Sequence, residues 1–80
     1  MNISYSNKAA KTIGNMDKPT KDRIKTAIEG LPDGDVKQIQ GSGVITYRLR
    51  VGGWRVLYNI DGDSIFIEKV APRGQAYKGV

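Results

Sequence analysis

Apolar residues in this chain follow two periodicities, and the change from one to the other separates a mainly helical half from a strand half. Ile3 and Tyr5 alternate with polar neighbours, which predicts a short strand ending at Ser6, a residue suited to cap a helix. From Asn7 to about Met16, Ala9, Ile13 and Met16 recur at helical spacing with Lys8 and Lys11 turned outward, and Gly14 predicts an early end. Asp17-Lys18-Pro19 restarts a helix, because proline is pre-organised for a first turn and a carboxylate suits the positive end of the helix dipole. Ile24, Ala27, Ile28 and Leu31 then make one apolar stripe, with Lys21, Asp22, Lys25 and Glu29 facing away, until Pro32-Asp33-Gly34 stops the helix.

The pattern then changes to a period of two. Val36 to Ile39 predicts a short strand before the loop Gly41-Ser42-Gly43. In Val44 to Val51, Ile45, Tyr47, Leu49 and Val51 alternate with Thr46, Arg48 and Arg50. Gly52-Gly53 is a two-residue hairpin signal, after which Trp54, Val56, Tyr58 and Ile60 alternate with Arg55, Leu57 and Asn59. Asp61-Gly62-Asp63 turns the chain into a last strand from Ser64 to Val70. The order strand, helix, helix and then three or four strands predicts an α+β domain over residues 1–80. Its antiparallel sheet is packed on one face by a two-helix hairpin.

A two-residue loop also sets register. Val51 must pair with Trp54, so Leu49 faces Val56, Tyr47 faces Tyr58 and Arg50 faces Arg55. Tyr47, Leu49, Val56 and Tyr58 belong to the helix side, while Arg48, Arg50 and Arg55 share the other, with Cβ atoms predicted within about 5–8 Å. Like charges directly opposite weaken a sheet, whereas guanidinium forks bind phosphate oxygens bidentately, so the pattern points to an anion on that face. The plainer reading is a solvated face on which Glu68, by the same parity, pairs with Arg55 and leaves Arg48 and Arg50 without a carboxylate. Arg73 follows the last strand beyond Pro72, and Tyr77 comes four residues later.

Charge agrees with this asymmetry. Residues 1–35 carry six Lys/Arg against five Asp/Glu, and residues 36–80 carry seven against three, for a net charge of +5. A basic strand half favours a polyanionic partner. The chain has no cysteine and no histidine, which removes thiolate zinc sites, disulfides and the commonest general base. No signal peptide or span of roughly 20 apolar residues is present, and a cytoplasmic protein without a membrane contact, metal or small-molecule cofactor is expected.

The residues resemble the RelE/ParE toxins of type II toxin–antitoxin systems, and in particular the RelE-like ribosome-dependent mRNA interferases. The most specific stretch is Tyr47-Arg48-Leu49-Arg50-Val51-Gly52 followed by Trp54-Arg55-Val56-Leu57-Tyr58. Asp17-Lys18-Pro19 with its helix, Gly34-Asp35-Val36-Lys37, and Arg73 with Tyr77 fall in the family's order around it. The resemblance implies a RelE-like fold and a metal-independent endoribonuclease that cleaves mRNA in the ribosomal A site through attack by the RNA's own 2′-hydroxyl. It implies catalytic positions at Arg48, Arg55, Arg73 and Tyr77, with Arg50, Thr46 and Lys78 contacting RNA, and a cognate antitoxin besides the ribosome and mRNA as partners. Thr46 stands where well-studied members carry a lysine. Arginine cannot act as a base at ordinary pH. Tyr77 is left as either proton acceptor or base-stacking ring. A ParE-like inhibitor of DNA gyrase and a non-catalytic basic module that binds RNA or an antitoxin are the competing expectations.

Overall fold

The structure is a computed structural model and describes residues 2–40 and 45–72. Its elements run β1 (Asn2–Tyr5), α1 (Asn7–Gly14), α2 (Lys18–Glu29), β2 (Asp35–Gln40), β3 (Ile45–Val51), β4 (Trp54–Asp61) and β5 (Ser64–Pro72). The expected α+β architecture is present, with one correction. The five strands lie in the order β1-β5-β4-β3-β2, and β1 pairs with β5 in parallel, so the sheet is mixed and not wholly antiparallel. The two helices lie between β1 and β2 in sequence, and these strands occupy opposite edges, so the helical pair carries the chain across the sheet.

Both helices start where the sequence predicts. Ser6 caps α1 by accepting a hydrogen bond from the Ala9 N–H at 3.0 Å, and its own hydroxyl donates to the Glu68 carbonyl at 2.7 Å. One side chain thus closes a helix end and ties it to β5. Asp17 occupies the N-cap position of α2, with Pro19 in the first turn. Its carboxylate makes no hydrogen bond of full capping geometry, yet the nearby Thr20 hydroxyl, followed by the Thr20 N–H, holds its pKa below the ordinary value. The first helix stops at Gly14 and the second at Glu29, slightly short of the expected Met16 and Leu31, but Leu31 is still buried in the core.

Ile13, Ile24 and Ile28 pack with Leu49, Val56, Tyr58, Ile65, Ile67 and Val70 in one cluster between helices and sheet. Tyr47 and Tyr58 stack with ring centroids 5.5 Å apart, and burial followed by the neighbouring Tyr47 raises the Tyr58 pKa. Ile45, expected inward by parity, is 56% exposed, because it lies at the end of β3 away from this cluster. Among the described residues no helix is long and apolar enough to cross a membrane.

Candidate nucleic acid interface

The β3–β4 hairpin has the register expected from its glycines: Val51 faces Trp54, Arg50 faces Arg55, Leu49 faces Val56 and Tyr47 faces Tyr58. Positive φ is confined to the first central residue, Gly52 at 57°, which a side chain would strain. A Cβ at Gly52 would also come within 2.9 Å of the Arg23 Nη2, so a guanidinium from α2 lies directly against the turn. Arg23 was not among the expected site residues. Only tertiary packing brings the helix to the hairpin tip.

Arg48, Arg50 and Arg55 therefore share the sheet face turned away from the core, but their environments differ sharply. Arg50 is exposed, and its side chain forms no hydrogen bond or ion pair with the described residues. Arg55 is only 5% exposed; its Nη1 donates to the main-chain oxygens of Trp54 at 3.1 Å and Gly52 at 3.4 Å. The like charge across the ladder is accommodated by folding one guanidinium back beneath its own turn, where carbonyl dipoles replace water. Arg55 was expected to be solvent-facing, and its burial corrects that expectation.

Arg48 has a third environment. Its Nη2 lies 3.5 Å from the Asp35 Oδ1, with the arginine side chain 15% exposed and the carboxylate largely solvated. Its Nε is buried and has no hydrogen-bond partner. One edge of the guanidinium is thus incompletely satisfied, which costs about 1–3 kcal/mol for a buried donor. Asp35 overturns the expectation that Arg48 would have no carboxylate beside it. Strand β2 brings it there, since Asp35 faces Arg50 and Lys37 faces Arg48 across the β2–β3 ladder. Lys37 adds an exposed cation that sequence parity alone did not place.

The Glu68–Arg55 pair of the plainer reading is absent among the described residues. Arg55 faces Ala71 and Leu57 faces Lys69, whereas Tyr58 faces Ile67, so β5 holds one extra residue, Glu68, opposite the Leu57–Tyr58 step. This bulge reverses parity along β5: Ile65 and Ile67 point into the core before it, and Val70 does so after it. As a result Lys69 and Phe66 share the arginine face. Thr46, also expected to contact RNA, is half-buried on β3 opposite Ile39 of β2. Arg73, Tyr77 and Lys78 lie outside the described residues, as do the Gly41-Ser42-Gly43 loop and Val44.

Cavities of about 240 Å³, lined by Tyr5, Ile13 and Lys25 among others, and about 410 Å³, lined by Arg23, Ala27 and Val51 among others, lie beside the helices. The arginine face is a strip of sheet, a shape that suits an extended polymer better than an enclosed small molecule.

The two helices and five-stranded mixed sheet form an α+β fold that matches RelE structures. Residues 3–77 match the family model of the ParE toxin of type II toxin–antitoxin systems, and the chain belongs to that family, within the RelE/ParE superfamily. No curated protein matches the chain. Among solved structures it is similar to the archaeal RelE–RelB complex of Pyrococcus horikoshii, at 26% identity over 92% of this chain and 96% of that one, with a TM-score of 0.73. The RelB–RelE antitoxin–toxin complex of Methanococcus jannaschii is similar at 26% identity over 92% and 94%, also at 0.73. The toxin–antitoxin complex RelBE2 of Mycobacterium tuberculosis, at 20% identity over 90% of both chains and 0.73, supports the fold.

Proposed function

We propose that this toxin is a RelE-like mRNA interferase that holds a phosphodiester against the arginine face and cleaves mRNA in the ribosomal A site. The observation that carries this reading is the Arg48–Arg50–Arg55 cluster, in which one guanidinium edge is unsatisfied and another guanidinium is solvated. Phosphate oxygens match the solvated Arg50 guanidinium and the partly exposed Arg48 side chain, and guanidinium donors aimed at developing negative charge stabilise a pentacovalent transition state by a few kcal/mol each. The two archaeal RelE relatives support the RelE side of the superfamily.

In the proposed step the 2′-oxygen bonds to phosphorus as the bond to the 5′-oxygen breaks, leaving a cyclic phosphate and a 5′-hydroxyl. Arg48 and Arg50 hold the non-bridging oxygens. Arg55 shapes the turn that presents Arg50. The 2′-proton needs an acceptor that arginine cannot be; Tyr77, four residues after Arg73, is proposed for that role in place of base stacking, and the departing 5′-oxygen takes its proton from solvent. Lys78 and Thr46 are proposed RNA contacts. A cognate antitoxin is proposed to cover this cationic face, by extension from the relatives solved with antitoxins, and the setting is the cytoplasm.

The ParE family model and the lack of histidine favour a second reading, gyrase inhibition without RNA cleavage. One paired assay separates the two. Purified toxin is incubated with programmed ribosomes and, separately, with gyrase and supercoiled DNA. A-site cleavage that disappears in Arg48→Ala is expected. Gyrase inhibition with intact mRNA refutes the nuclease reading, and inactivity in both assays leaves a non-catalytic binding module.

A further inference from the structure

We infer that Phe66 and Asn59 form a base-docking platform on the arginine face, where an unpaired nucleobase stacks on the Phe66 ring beside the Asn59 amide. The inference rests on the RNA-directed reading above and adds a subsite to it. Phe66 is 41% exposed in the middle of β5, on the sheet face turned away from the core cluster. More than half of its surface is covered, and the rest of the ring is open to solvent on the cationic side of the sheet. Its neighbours across the ladders are Asn59 on β4 and Ser4 on β1, so the ring lies in a polar setting.

Asn59 supplies a second, independent observation. Its Oδ1 is buried without a hydrogen-bond donor, leaving the amide no internal bond through that oxygen to oppose its turning toward a ligand. A nucleobase edge offers both donors and acceptors, which an Asn amide can meet in either orientation.

Placement completes the case. Arg48 faces Leu57, and Asn59 lies two residues further along β4, about 7 Å on the strand axis. Backbone-holding cations and a stacking ring therefore follow one another along one face, as a single-strand binding surface requires. A protein partner fits this patch less well. The ring's ladder neighbours Asn59 and Ser4 are polar and the nearby Leu57 is already buried, whereas the centre of a protein interface is a continuous apolar patch. Across this face Lys37, Arg48, Arg50, Arg55 and Lys69 outnumber Asp35 and Asp61, which matches a polyanion.

The test uses the whole toxin and ribosomes programmed with mRNA whose A-site riboses are 2′-O-methylated and cannot be cut, intact or with one abasic position in turn. Phe66→Leu is expected to weaken binding of the intact mRNA roughly tenfold, within the range for loss of one stacked base, and Phe66→Tyr to retain affinity. One abasic position should weaken wild type to the same degree and leave Phe66→Leu unaffected. Equal binding of Phe66→Leu and wild type to intact mRNA overturns the platform and assigns the ring to a protein contact or to solvent. Cleavage of unmodified mRNA by wild type is scored in parallel. If cleavage persists while the platform result fails, only this inference falls; if neither cleavage nor binding occurs, the RNA-directed reading falls with it.

Discussion

The two faces of one sheet are built to different standards. On the helix side, Leu49, Val56, Tyr58, Ile65 and Ile67 are almost completely buried against Ile24 and Ile28. On the opposite side, a buried arginine rests on carbonyl oxygens, another retains an unsatisfied donor, an amide oxygen lacks a partner and a phenylalanine ring meets solvent. The first face supplies stability. The second carries interactions that folding leaves incomplete, and such groups are where a ligand gains most.

Substitutions on the two faces should therefore separate stability from toxicity. The largest effect is expected at Tyr58, whose truncation to alanine removes a buried, stacked ring and should cost about 3–5 kcal/mol in denaturant unfolding. A loss below 1 kcal/mol would show that the helix side is not the stabilising face. Arg55→Ala blurs the division. It should lower stability by about 1–3 kcal/mol as well as growth inhibition, because its guanidinium binds two turn carbonyls. Loss of toxicity with an unchanged unfolding midpoint would return Arg55 to a purely ligand-facing role.

Ser6→Ala removes both a cap and the link to β5, with an expected cost of about 1 kcal/mol and earlier hydrogen exchange in the first turn of α1. Arg50→Ala should change stability by less than about 0.5 kcal/mol, or raise it slightly by relieving the like-charge pair, while reducing toxicity. An intact toxic phenotype would remove Arg50 from the interface.

The pH profile sharpens the same contrast. Burial raises the pKa of Tyr58, and of Tyr5 with Glu29 adding to it, so each phenol's contribution is complete below the unfolded value of 10.0 and is lost as pH rises through the folded value. Asp17 acts at the other end. Its lowered pKa gives a contribution present above 3.8 and lost as pH falls through the folded value. Stability followed by circular dichroism should be level across neutral pH and fall at both extremes. A transition near pH 6.5 would contradict this profile, since the chain has no histidine to produce one.

Much of the hairpin and the helices was legible in the residues. Alternation in β3 and β4 identified both faces, and Gly52-Gly53 set the register because so short a loop allows few geometries. The stripe through Ile24 and Ile28 likewise identified the buried side of α2. The competing signals lay at long range. The β1–β5 pairing joins residues about 60 positions apart, with no short turn to announce it. The β2–β3 register depends on a longer connection, so Asp35 beside Arg48 was hidden, and parity counting across β5 failed at Glu68 because a bulge leaves no periodic trace.

By itself, then, the order of residues determined which side chains share a strand face and how one tight hairpin pairs, since both follow from local backbone geometry. Only the tertiary structure decided what each of those side chains meets. Arg50 reaches solvent, Arg48 meets Asp35 and Arg55 meets its own turn, because burial and partner choice depend on strands and helices brought together from distant parts of the chain.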